Sequence, residues 1–481
     1  MTRKATLLPV PALDAPAAAL AGRPEDGHRL PQARGPEAGE GGPRFRRDAC
    51  GRGPARDHLL SPGALATPFA CRPTASRGQG LPPPWAAPPA ARPGPAAGPG
   101  RERAPPRPGH PDRAAEAPPA AGEGEGRGGG GPAAPPPPVE FLASRGLAGW
   151  LAGQRVSLAF TTYRGGGLFL LGLDAQGRLA LSEQGFDRAA GLAAHGRRLY
   201  LGTAHQLWRL DDALGPGGDW RGHDRLYAPR LAWTTGEVHT HDVAVDGRGR
   251  VMFVNALFSC LALPAAGHSF APLWRPPWVS ALAPEDRCHL NGLALADGRP
   301  AFATAAARTD TVAGWRGRRA DGGVVVALPG GEVVLDGLSM PHSPRWHRGA
   351  LWVLDSGRGL FGRVDPLARS FEPVCFCPGF ARGLAFHGDH AIVGLSRPRS
   401  RQAYAGLELD DALASRGAEP RCGLMVVDLR AGRPVHHLWA EGGGAGEVYD
   451  VAVLPGARRP AVLGVDRDGL RTAVPGPPAE L

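Results

Sequence analysis

The residues best suited to chemistry in this chain gather at one place in a repeated pattern. His239, His241, His289, Asn291, His342, Arg382, Glu447, Tyr449 and Asp450 all lie at, or within three residues before, the start of a short apolar run. Neutral imidazoles at His239, His241, His289 and His342 suit zinc, iron, copper or manganese. Asn291 with Glu447, Asp450 and Asp242 better suits calcium. His239-Thr240-His241 is an HxH pair, and an extended strand would aim both rings to one side, as a shared divalent metal ion needs. His241 and His342 are the candidate general bases. Arg382 and Tyr449, with Arg308, Trp315 and Arg316 on a long connection, could hold a carboxylate, phosphate or sulfate. Strand ends are also polar simply because they meet solvent, so the same residues admit a purely structural reading.

The elements that must position these groups are legible from Val139 onward. A unit recurs six times: a small or polar residue, a small-apolar strand, a turn, and a second strand. Its copies begin at Gly191, Asp242, Gly292, Ser343, Gly383 and Asp450, at spacings of 51, 50, 51, 40 and 67 residues. Periods near 40–50 with several strands each are the mark of propeller blades. The fold expected is therefore an all-β, six-bladed β-propeller over 139–481, with five or seven blades left open by the long last interval. The final unit shows two strands, Tyr449–Leu454 and Pro460–Val465. Gly167–Leu173 and Arg178–Glu183, with Ser157–Tyr163 adjoining, are available to complete it and close the ring.

In such a ring the innermost strands start at a mouth of the central channel, and the loops from second to third strands open on the same face. The residues immediately before the six units are Ala190, His241, Asn291, His342, Arg382 and Tyr449. Two residues earlier come Arg188, His239, His289, Met340, Phe380 and Glu447. The connection Ala305 to Gly322 carries Arg308, Asp310, Trp315 and Arg316. Arg397 to Arg421 carries Arg399, Arg401, Tyr404, Glu408 and Asp410. Convergence of such groups at one mouth predicts a site for a small polar or anionic molecule, with metal-assisted hydrolysis as its enzymatic form. The competing expectation is a non-catalytic module that binds a peptide or glycan, so a protein partner stays open. Nucleophilic catalysis has little support. There is no GxSxG elbow, Ser339, Ser343 and Ser356 lie near His342 only in sequence, and Cys288 reads as a buried thiol.

Residues 1–138 are different. They are rich in Pro, Gly and Ala, lack hydrophobic periodicity, and cannot bury enough surface to offset ordering entropy, so a disordered tail is expected there. Over half of the net charge of +10 lies in that stretch, and 54 of the 55 basic residues are Arg. The folded part therefore need not carry a nucleic-acid footprint, and no specific nucleic-acid partner is expected. No apolar run reaches the roughly 18 residues of a membrane helix, and prolines interrupt the only signal-like segment. The seven cysteines include no CxxC pair; only Cys375-Phe376-Cys377 brings two thiols close. A reducing, cytoplasmic setting is expected.

The stretch from about Thr161 to Val465 resembles a bacterial family known only as a conserved hypothetical protein. The matching runs are Leu273–Pro277 (LWRPP), Asp286–Ala294 (DRCHLNGLA), Gly337–Trp346 (GLSMPHSPRW) and Cys377–Leu384 (CPGFARGL). More distantly, the inner-strand pattern, with Asn291-Gly292-Leu293-Ala294 as its best copy, looks like the gluconolactonase and strictosidine-synthase superfamily. That resemblance implies six blades and, in the lactonase branch, a divalent cation held in the channel by Glu, Asn and Asp. Asn291, Asp450 and Glu447 would match that set, while His241 and His342 depart from it.

Overall fold

The computed structural model describes residues 6–9, 139–398, 406–442 and 446–465. Their strands form six antiparallel blades. Blade one starts with Leu192–His195, blade two with Thr240–Val245 and blade three with Leu290–Ala296. Blades four, five and six start with Pro341–His347, Phe380–His387 and Val451–Pro455. Each of these inner strands packs against the next, and the sixth against the first, so the ring is closed. No helix of the described residues is long and apolar enough to cross a membrane.

Strands such as Gly167–Leu173 and Val251–Asn255 are buried along their whole length because successive side chains face opposite neighbours. In Val251–Asn255 of blade two, Val251 and Phe253 pack with Tyr200 and Leu207 of blade one. Met252 and Val254 turn the other way, onto Leu290, Ala303 and Val326 of blade three. Each such side chain contributes about 1.5–3 kcal/mol of burial.

The ring closes differently from the two-plus-two arrangement expected. Blade six takes only its inner strand, Val451–Pro455, from the C-terminal side; Val156–Thr162, Gly167–Leu173 and Leu179–Gly185 supply the other three. Val451 to Pro455 pair in unbroken register with Phe160 to Val156. Pro460–Val462 instead runs parallel to Arg225–Tyr227 on the outer edge of blade one. Pro460 has no N–H to give a flanked strand, and an edge is where such a residue is tolerated.

The 67-residue interval hides no further blade. It holds the rest of blade five and an insertion with the helix Glu408–Ser415. Glu408, Asp410 and Asp411 stand in its first turn, where the helix dipole favours them. Leu409 and Leu413, one turn apart, bury against Trp315, Met340 and Phe380. Blade five is widened by Glu140–Ala143, which bears a parallel strand, Thr6–Pro9, from within the expected tail. The rest of 1–138, with Arg399, Arg401 and Tyr404, lies outside the described residues.

Candidate functional site

Four of the six inner strands are preceded by a left-handed residue. Arg188, His239, His289 and Met340 hold equivalent places in four blades, and all have φ near +50°. Left-handed backbone costs a non-glycine residue about 1–3 kcal/mol. Its recurrence marks blade entry rather than one special residue. The carbonyls of His239 and His289 there accept from Ala256 N and Ala306 N, at 3.2 and 3.0 Å. This overturns the HxH expectation. The strand begins at Thr240, so His239 is not on the extended segment that would aim it alongside His241, and its Nε2 lies 3.9 Å from Glu237.

Three imidazoles do converge. The His241 ring lies edge-on to His289 at 4.6 Å, 6.4 Å from His342 and 5.8 Å from Tyr449. Tyr449 stacks with Tyr163 at 5.4 Å. Burial, with His289, His342 and Arg382 nearby, holds His241 well below the usual imidazole range; burial and Arg382 do the same to His342.

His342 is oriented from behind. Its Nδ1 sits 2.8 Å from the Met340 carbonyl, an acceptor only, so Nδ1 carries the proton. Its Nε2 is then a lone pair, buried and without a partner among the described residues. Ser356, expected to neighbour it only in sequence, comes within 3.1 Å of Nδ1 in space. Its hydroxyl donates to the Ala381 carbonyl at 2.7 Å and is fully buried, which makes it an anchor. Asn291 behaves like His342: Nδ2 donates to the Pro341 carbonyl at 3.0 Å, while Oδ1 is buried and without a partner among the described residues.

The remaining candidates are engaged elsewhere. His289 Nδ1 is 2.9 Å from Asp286, and its ring stacks on Trp315 at 4.0 Å. Trp315 donates its own N–H to Asp286, so it is buried behind His289 rather than free on the rim. Arg316 lies exposed over Trp315 and Arg308 over Trp278. Arg382 pairs with Glu447 and lies over Phe380 and Tyr449. Asp450 accepts from Leu192 N and Val451 N at 2.8 and 2.9 Å. Glu447 and Asp450 thus already have protein partners, which the cation set implied by the lactonase resemblance would have to displace. No group of three or more His, Cys, Asp or Glu side chains suited to a metal occurs among the described residues. Burial pushes the Cys288 thiol up to about 12, unlike a nucleophile. Cys377 donates to Cys375, which lowers Cys375.

Sequence reasoning missed the centre of the channel. Arg345 grips Asp242 through both terminal nitrogens, at 2.7 and 3.1 Å, and lies 3.7 Å from Asp450. It also donates to the Leu384 and Leu293 carbonyls, so five blades meet on one guanidinium. Asp242 accepts from Leu293 N as well. Burial and the neighbouring Asp242 raise Asp450 to about 7. A signal existed: at the third position of the unit the other five copies have Ala. Beyond Arg345, a cavity of about 730 Å³ opens at the other end of the channel, lined by Ala193, Ala244, Leu295, Ala385 and Val453.

Residues 145–463 match the family profile described as "Domain of unknown function (DUF4915)". The chain belongs to this family. None of the curated proteins compared matches it. Among solved structures, the DUF4915 chain is similar to one in a nidogen/laminin complex, at 12% identity and TM-score 0.40, covering 63% of this chain and 99% of that one. It is also similar to a protein of unknown function from Bacteroides caccae, at 10% identity and TM-score 0.39, with coverage of 62% and 98%. A virginiamycin B lyase from Staphylococcus aureus is similar at 10% identity and TM-score 0.32, with coverage of 50% and 73%.

The depressed imidazoles of this DUF4915 propeller predict an acid-labile mouth. A histidine whose folded pKa lies below its unfolded value, about 6.5, leaves the unfolded chain binding more protons as pH falls. That stability is complete above about pH 6.5 and is lost progressively below it. Asp450, raised instead, acts oppositely between its unfolded value near 3.9 and about 7. The measurement is therefore the difference in melting temperature between the protein and its His241→Gln/His342→Gln variant. The gap should shift in the variant's favour as pH falls below about 6.5; a gap constant with pH would show that neither imidazole is held neutral.

Proposed function

We propose that the mouth formed by His241, His289, His342 and Tyr449 binds a small polar molecule, with His342 Nε2 taking its hydrogen bond or, in catalysis, its proton. The observation that carries this reading is His342 itself. A buried acceptor without a partner costs about 1–3 kcal/mol, and here the tautomer is fixed so that the lone pair stays available. A neutral imidazole at neutral pH is the protonation state a general base requires.

A hydrolytic version would use His342 or His241 to draw a proton from water beside a bound carbonyl. It is built on imidazole, because Glu447 and Asp450 already have partners. A recognition module without turnover is the second reading, favoured by Arg308 and Arg316 lying exposed over Trp278 and Trp315 on the same face.

The test is ligand screening by calorimetry on the purified protein, with His342→Ala alongside. Removing the acceptor should weaken binding about tenfold or more, and exhaustive chelation should leave affinity unchanged. Binding unaffected by His342→Ala removes the proposed site. Binding abolished by chelation would restore the metal expectation. Turnover lost in His342→Ala, with affinity of a non-reacting analogue retained, would favour the base over the recognition role.

A further inference from the structure

Two of the buried side-chain atoms without a hydrogen-bond partner among the described residues are acceptors that stand on adjoining inner strands. Asn291 Oδ1 belongs to blade three and His342 Nε2 to blade four, and the Asn291–Pro341 bond ties the two strands together. Neither assignment can be reversed. Turning the Asn291 amide over would set Oδ1 against the Pro341 carbonyl, and moving the His342 proton to Nε2 would set a lone pair against the Met340 carbonyl. Each residue is anchored through its donor, so its acceptor faces away from that anchor. Asn291 is 2% exposed and His342 4%.

The charges around them cancel. Arg382 is matched by Glu447, and Asp286 is taken by His289 and Trp315. Aromatic surface is close by, in Tyr449 against His241, Tyr163 against Tyr449, and Phe380 against His342. An anion placed here would meet two lone pairs and have to draw Arg382 from Glu447. A hydroxyl donates to a lone pair without any such exchange. Rings with a polar edge and an apolar face also fit beside tyrosines.

We propose that the ligand of this mouth is a neutral polyol, a sugar ring or cyclitol, whose hydroxyls donate to Asn291 Oδ1 and His342 Nε2 while its C–H face lies against tyrosine. This rests on the reading of the mouth as a ligand site and narrows it to a class. Arg382 and Glu447, held by each other, then complete the wall rather than select for charge.

The experiment titrates the full chain at neutral pH with neutral monosaccharides and myo-inositol, and in parallel with gluconate and inorganic phosphate, at millimolar concentrations. Saturable binding is expected for a neutral polyol, weakened about ten- to a hundredfold by Asn291→Leu and by His342→Phe, each of which leaves one hydroxyl unmatched. Should those variants fold poorly, the unmodified protein gives a second reading. Protonating His342 turns its acceptor into a donor, so polyol affinity should fall as pH is lowered, whereas anion affinity would rise. Binding of gluconate or phosphate that depends on His342, with no neutral polyol bound, overturns the ligand class and leaves the site standing. Failure of every probe to bind overturns this inference; the proposed site itself then stands or falls by the His342→Ala comparison with whatever ligand the wider screen finds.

Discussion

Replacing Arg345 with methionine should destabilise the propeller by about 3–5 kcal/mol, the usual cost of leaving a buried charge without its partner. Asp242 and Asp450 are 3% and 2% exposed, and the guanidinium is the cation that both face. Methionine fills much of the same volume, so the loss would be electrostatic and not a cavity. The pH dependence identifies the cause. Without Arg345, Asp450, already raised by burial and the neighbouring Asp242, would hold its proton more tightly still in the folded state, further above the unfolded value near 3.9. A raised folded pKa gives stability that is complete below the unfolded pKa and is lost as pH rises. The variant should therefore come closest to the parent in acid and fall furthest behind near neutrality. Chemical denaturation at several pH values measures this directly, and Asp242→Asn added to Arg345→Met should recover part of the loss. A deficit independent of pH would mean that Arg345 acts through packing alone.

Gly383→Ala is expected to cost about 2–4 kcal/mol, from two sources that a control can separate. Gly383 has φ of +72°, and a Cβ there would lie 2.7 Å from Asp450 Cα and 2.8 Å from Val451 N. Those are backbone atoms of the neighbouring inner strand, which the ring prevents from retreating. Gly388, in the turn of the same blade, has φ of +56° with nothing within 4 Å of a Cβ. Gly388→Ala should show the conformational cost alone, about 1 kcal/mol. Equal losses at the two positions would mean that the inner strands can separate and that their close approach is not a constraint.

The close approach also explains how much of the channel could be read from sequence. The six units begin with Gly, Asp, Gly, Ser, Gly and Asp. In the ring this is the position where adjoining strands come nearest. Gly191 would bring a Cβ within 2.9 Å of Asp242 Cα, just as Gly383 would against Asp450. The aspartates bridge the same gaps by accepting from backbone N–H groups, Asp242 from Leu293 and Asp450 from Leu192. Small size and short carboxylates were visible as types at a spacing. Their reach across to another blade was not, because the bonds span separations of 51 and 258 residues.

The polar residues before each unit do gather, since a repeat at fixed spacing puts equivalent positions at equivalent places around a ring. Which of them remain available depends on partners that no local pattern reveals. Glu447 and Arg382 looked like two separate functional groups and prove to be one ion pair. Trp315 looked like a ligand-holding residue on a long connection and lies stacked on His289. His342 and Asn291 keep free acceptors only because Met340 and Pro341 offer carbonyls at the right place behind them.

By itself the sequence pointed to six blades, with five or seven left open, and to their order and the end at which the imidazoles gather, because strand periodicity and repeat spacing are local properties of the chain. Tertiary structure alone decided the one-plus-three closure of blade six, the seat of Arg345 between Asp242 and Asp450, and the free lone pairs of His342 and Asn291. Those features depend on hydrogen bonds and charges meeting across a closed ring, between segments that share no pattern until the ring has formed.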